Sequence, residues 1–203
     1  WPAVKKVINT MKGMIGSYPD WVIVCNNDIT FKDKNFFKVL SKTNKEKYPI
    51  IGPNIINSKG FQLNPFMIYP LSRFEKFYWN IYFFSYPLSI IILNIKKLIE
   101  TYYKKSKAKS ITTNQQVYAV HGSAILFSNY FFDKGGWIDD NFEMYGEELT
   151  VAEIAKNLNL PITFFPELRI IHHEHKSTRK INRRLLFNKA KKSHRYFQSE
   201  YLR

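Results

Sequence analysis

The sequence is short of three things, and each shortage narrows what the chain can be. Cysteine occurs once, at Cys25, so no disulfide can form within the chain and a reducing compartment is its natural setting. The apolar run 86–95 is too short and too interrupted to span a bilayer, which takes about 20 apolar residues. Acids are scarce: 16 Asp and Glu stand against 31 Lys and Arg, a formal charge of +15. No secretory signal opens the chain, no segment repeats, and no RNP, KH, helix-turn-helix or zinc-knuckle pattern accompanies the basic charge. Trp1-Pro2 reads as the interior of a longer protein.

What is present is a chain of 203 residues, enough for one domain with a real core, with an aromatic content of 17%. The basic excess points to an anionic partner, whether nucleic acid, a phosphorylated small molecule or the anionic face of a membrane. A solvated lysine-rich surface is the plain alternative.

Apolar residues Val4, Val7, Ile8, Met11 and Ile15 recur at helical spacing. After Tyr18-Pro19-Asp20, residues Trp21 to Cys25 read as a short strand buried on both faces. Phe31 to Leu40 again has helical spacing, through Phe36, Phe37 and Leu40, and residues 49–53 read as a second buried strand. Strands are expected at 117–120, 124–127, 162–165 and 169–171, with a helix from Glu147 to Leu158 and a basic helical tail. Alternating helices and apolar strands favour an α/β domain with a mainly parallel sheet. Residues 61–115 interrupt that texture with aromatics, an apolar stretch and a lysine-rich end. They fit either an amphipathic helix lying on anionic lipid or a helical hairpin packed on the domain.

Three stretches could carry chemistry. The strand 21–25 runs into Asn26-Asn27-Asp28, a cluster of side-chain oxygens that suits a hard divalent cation held by few protein donors and by substrate phosphates, or an Asx turn. In "GGWIDDNFEMYGEE", Glu147 and Glu148 open a helix close to Asp139, Asp140 and Glu143. Such acids either complement a helix dipole or offer a rigidly mounted general base. In "IIHHEHKST", His172, His173 and His175 follow a strand; alternation sends His172 and His173 to opposite faces, so one strand cannot aim both at one ion.

Taken in order, "NND", "IIGPNI", "HGSAILFS", "GGWIDDNFEMYGEE" and "IIHHEHKST" resemble a family 2 glycosyltransferase of the GT-A fold, of the bacterial polysaccharide type. The resemblance assigns 1–60 and 116–180 to a GT-A-like domain, 61–115 to a helical insertion and 181–203 to a basic C-terminal helix. The family's first nucleotide-binding units have no counterpart here, which implies the C-terminal portion of a longer enzyme. By position, Asp28 matches the last residue of the family's DXD motif, Asn26 stands at its first, and His172 matches the later metal histidine, so Mg²⁺ or Mn²⁺ is implied at these three. Glu148 stands where the base Asp usually sits, with Glu147 before it. Asn27, His121, Gly122, Trp137, Asp139 and Asp140 fall where the family faces donor sugar and acceptor.

The activity so implied is inverting, metal-assisted transfer of a sugar from a nucleoside diphosphate to a hydroxyl of a glycan or lipid-linked acceptor. The basic tail, with 10 Lys and Arg in 176–203 against Glu200 alone, and the insertion imply a cytoplasmic enzyme resting on the inner membrane face. Two other readings use the same charge: a nucleic-acid-binding protein with aromatics interleaved among bases, and a non-catalytic scaffold on a membrane surface. The first leaves the acidic clusters unexplained, and no nucleic-acid partner is expected.

Overall fold

The computed structural model describes residues 1–102, 111–142, 145–173 and 182–202. Helix α1 (Pro2–Ile15) starts on Pro2, whose missing N–H would have no intrahelical partner anyway, and ends at Gly16 in the left-handed region (φ 80°). Strand β1 (Trp21–Cys25) leads through a three-residue link to β2 (Ile29–Phe31). Helix α2 (Phe36–Lys42) buries Phe36 and Leu40 and leaves Phe37 exposed, and β3 (Ile50–Asn57) follows. The described part of the insertion contains two helices, α3 (Arg73–Tyr82) and α4 (Tyr86–Tyr102). Ser72 begins α3 with a reciprocal capping box: its hydroxyl accepts from the Glu75 N–H at 3.2 Å, and Glu75 accepts from the Ser72 N–H at 2.8 Å. Then come β4 (Gln115–Val117), β5 (Ala124–Ser128), α5 (Asn129–Asp133), α6 (Glu147–Asn157), β6 (Ile162–His172) and α7 (Arg183–Tyr201).

The strands form one mixed sheet in the order β1-β5-β3-β6-β2, with β4 also on β6. The expected mainly parallel sheet is corrected: among the described residues only β3 with β6 is parallel, and β1–β5, β3–β5, β2–β6 and β4–β6 are antiparallel. Continuous apolar runs report burial on both faces, which a central antiparallel strand such as β5 has as fully as a parallel one. The two strands expected at 162–165 and 169–171 are one strand, β6, bulged where Pro53 pairs with Phe165 and Asn54 with Arg169. Strand β1 lies at the sheet edge and is half-buried, with Cys25 exposed, rather than buried on both faces.

Alternation along the strands divides the core. Ile50, Ile125, Phe127 and Phe164 pack on one face with Ile8 of α1, Phe131 of α5 and Ile154 of α6. Ile51, Leu126 and Phe165 pack on the other with Phe36 and Leu40 of α2. The α3–α4 pair leans on α7 through rings: Tyr82, Phe83 and Tyr86 surround Phe187 at 6.1, 5.8 and 5.4 Å. The other sides of the pair leave Phe74, Phe77, Phe84, Ile91, Ile95 and Leu98 exposed. Among the described residues no helix is long and apolar enough to cross a membrane.

Candidate active site

The link Asn26–Asp28 leaves β1 on one side of the sheet and enters β2 on the other, so it must cross the sheet's end. It is held at both banks: the Asn26 N–H donates to the Ser123 carbonyl at 3.0 Å, and the His173 N–H donates to the Asp28 carbonyl at 2.9 Å. The crossing lies beyond the carboxyl ends of the parallel pair β3 and β6, where open α/β sheets collect ligands.

There the Asp28 Oδ1 and His172 Nε2 stand 3.1 Å apart, each side chain 12% exposed. The other imidazole nitrogen, His172 Nδ1, is buried and has no hydrogen-bond partner among the described residues. His173 turns away, as strand alternation requires, and meets the Thr30 hydroxyl at 2.9 Å. His121 brings its ring to 6.2 Å from that of His172 and accepts the Ser123 N–H on Nδ1 at 3.1 Å. Asn26 and Asn27 are exposed on the same rim. Among the described residues no group of three His, Cys, Asp or Glu could hold a metal ion. The 3.1 Å separation of Asp28 and His172 is that of an ion pair, and it also lets one carboxylate oxygen and one imidazole nitrogen face the same transition-metal ion such as Mn²⁺, with substrate oxygens left to fill its other positions; an all-oxygen Mg²⁺ shell would have to do without His172.

Gly122 couples this rim to the acids. Its N–H donates to Glu148 Oε1 at 3.1 Å, and a Cβ at position 122 would come within 2.8 Å of carboxylate oxygens of both Glu147 and Glu148. Only glycine allows the two acids to close on this backbone. Gly146, with φ 111°, makes the turn that starts α6, so both glutamates occupy that helix's first turn. The helix end favours their charge, but burial opposes it more strongly. Glu148 is pushed up to about 7 by burial and then by the charge of Glu147, and burial likewise raises Glu147.

The acid pair opens into a cleft of about 790 Å³ between the insertion and α7, lined also by His121 and Ser123. Asp28 and His172 adjoin it through the His121 ring. Sequence reasoning missed two contributors. Asn64, buried in the insertion, accepts the His121 N–H at 2.6 Å and donates to the Pro53 carbonyl at 2.8 Å, pinning the loop before β5. The walls supplied by α3 and α4 were signalled only by the aromatic density of 61–95, and that of α7 only by the basic helical tail.

Other expected site residues stand elsewhere. Asp139 is buried, and its oxygens accept from Asn141 N and Nδ2, both at 2.9 Å, from Tyr196 at 2.9 Å and from Tyr201 at 2.5 Å. That carboxylate ties the 139–141 stretch to α7. Asp140 pairs with Lys5 of α1 at 2.7 Å, and Trp137 is exposed; none of the three lines the cleft. Glu143 and His175 lie outside the described residues.

No family model matches the sequence, and no curated protein matches it. Among solved structures the chain is similar to one described as the crystal structure of GalNAc-T7 with UDP, GalNAc and Mn²⁺, at 13% identity and a TM-score of 0.45. The similarity covers 81% of this chain and 29% of that one, so the chain spans less than a third of that protein's length, and a likeness at this level assigns no function.

Proposed function

We propose that the chain carries the catalytic acids of an inverting glycosyltransferase that moves a sugar from a nucleoside diphosphate to an acceptor hydroxyl. The observation that carries this reading is Glu148: a carboxylate raised to about 7, anchored by the Gly122 N–H and open to a large cleft. A general base works best with a pKa near the working pH, and burial plus a neighbouring carboxylate provide that here. In the reaction Glu148 takes the proton from the acceptor hydroxyl as its oxygen bonds to the anomeric carbon. The bond from that carbon to the diphosphate breaks on the opposite face, and the leaving group departs with the electron pair. Glu147 keeps the neighbouring charge that raises Glu148 and helps orient the acceptor.

Asp28 and His172, with Asn26 at the rim, would hold a transition-metal ion such as Mn²⁺, which when bound supplies positive charge to the diphosphate. His121 and Ser123 join this end to the acids. Asp139 and Asp140, by contrast, are proposed as supports of the surrounding structure. A nucleic-acid surface or a membrane scaffold accounts for the charge but not for paired carboxylates facing a cleft.

The test is calorimetric titration of the intact protein with UDP, GDP and dTDP, with and without Mn²⁺. Metal-dependent binding that disappears in Asp28→Ala is the expected outcome and names the base. Absence of all nucleotide binding, with salt-sensitive binding of RNA instead, would overturn the assignment.

A further inference from the structure

The two glutamates lie against a loop that a distant part of the chain holds down. Residues 64–67, early in the insertion, run along 118–121. The Met67 N–H donates to the Ala119 carbonyl at 3.0 Å, and the Met67 carbonyl accepts from the Ala119 and Tyr118 N–H groups at 3.0 and 3.1 Å. Phe66 sets its ring perpendicular to that of His121, with centres 6.1 Å apart. Asn64 makes the most buried of these contacts. It is 2% exposed, and both ends of its amide engage backbone: Oδ1 accepts the His121 N–H at 2.6 Å, and Nδ2 donates to the Pro53 carbonyl of β3 at 2.8 Å. Gly52 lets β3 come this close, since a Cβ there would run into the Val120 side chain and come within 3.1 Å of Asn64 Nδ2. The residue after His121 is Gly122, whose N–H meets Glu148 and whose backbone leaves no room for a Cβ beside either glutamate. One buried amide therefore links β3 to the loop that covers the acid pair.

We propose that Asn64 is a positioning residue: through its bond to the His121 N–H it clamps the 121–122 loop onto Glu147 and Glu148 and keeps water from the pair. That the pair includes a base rests on the transferase reading; the clamp does not. An amide suits the position because it serves a donor and an acceptor on two separate backbone segments at once, and a buried orphan of either kind is costly. Burial is the largest cause of the Glu148 value of about 7, followed by the Glu147 charge, while the Gly122 N–H pulls the other way. Releasing the loop admits water and weakens that N–H bond together. The larger effect decides the sign, so Glu148 should fall back toward the ordinary carboxylate value. Besides Glu147, the ionisable groups on the same cleft are His121, Tyr145, Lys97 of α4, and Arg183 and His194 of α7, with Tyr82 and Tyr86 on the insertion side. All of them are retained when Asn64 is changed, so a difference between variants reads the clamp.

The test is NMR titration of the intact, ligand-free protein labelled with ¹³C at the glutamate side-chain carboxyls, the Glu148 resonance being assigned by its loss in Glu148→Gln. In Asn64→Ala the Glu148 midpoint should fall by about one pH unit or more. Gly52→Ala presses on the same loop from β3 with the Asn64 amide still in place, and should move the midpoint in the same direction. Leu40→Ala, in the core on the other face of the sheet, loses stability without touching the loop and should leave the midpoint at the wild-type value. A midpoint unchanged or raised in Asn64→Ala would overturn the proposal, and so would one that Leu40→Ala lowers equally. Should Asn64→Ala fail to fold, the Gly52→Ala midpoint decides by the same criterion. No sugar, nucleotide or metal enters this measurement, so it is scored apart from the nucleotide titration. Absent nucleotide binding beside a lowered midpoint removes the transferase reading and leaves the clamp standing; nucleotide binding beside an unmoved midpoint does the reverse.

Discussion

Glu148, the proposed base, has a buried carboxyl whose raised pKa works against the fold. Its pKa lies at about 7 when folded and near the ordinary carboxylate value when unfolded, so the folded protein binds more protons in between. Stability from this group is therefore greatest below the unfolded value and declines as pH rises through the folded one. Activity runs the other way, because a base must be deprotonated, and transfer should rise with pH to a plateau above about pH 7. Glu148→Gln separates the two effects. It should cut transfer by a factor on the order of a hundred or more. It should also raise stability at about pH 8 by something on the order of 2 kcal/mol, read from urea unfolding. An equally active variant, or one less stable at that pH, would sink the assignment. This residue was legible in the sequence because two adjacent acids after glycine at a helix start are visible as such. Asp139 was equally visible and read differently: its four hydrogen bonds come from Asn141, Tyr196 and Tyr201, the latter two over fifty residues away, and no local pattern shows them.

At the scale of elements, that carboxylate makes α7 part of the site. The two tyrosine hydroxyls on Asp139 fix the C-terminal end of α7, while the stretch from Arg183 to Phe197 walls the cleft. Asp139→Ala removes a buried acceptor and leaves Tyr196 and Tyr201 to find others, at a cost on the order of 2–4 kcal/mol. The expected result is faster amide exchange across 183–201 with β3, β5 and β6 still protected. If exchange instead accelerates uniformly, α7 is not a separately docked element. Helices α1, α2, α6 and α7 were legible from spacing and composition, to within a few residues. Strand direction was not. The link Asn26–Asp28 joins strands on opposite sides of the sheet, and β5 runs antiparallel to both neighbours; partners of this kind are chosen in three dimensions, whereas the apolar pattern reports only burial. Strand β2 and helix α5, at three and five residues, are too short to show a period.

The whole molecule combines a formal charge of +15 with a helical hairpin whose outer rings are exposed, Phe74 at 78% and Phe84 at 76%. Each half of that combination predicts a different response at a lipid surface. Charge attracts the chain to anionic lipid over about a Debye length, roughly 8 Å at physiological salt, and this attraction fades as salt rises. Apolar rings act only on contact and are indifferent to salt. Sedimentation with phosphatidylglycerol vesicles should therefore show binding that weakens steeply with salt, while neutral phosphatidylcholine vesicles retain little protein. Phe74→Ala and Phe84→Ala leave the charge unchanged, so the slope of affinity against salt should stay as it was. The affinity itself should fall by about tenfold to a hundredfold for each ring that enters the lipid, in keeping with the roughly 1.5–3 kcal/mol gained by burying such a side chain. Unchanged affinity in both variants would mean that these rings do not touch lipid and that the hairpin faces something else.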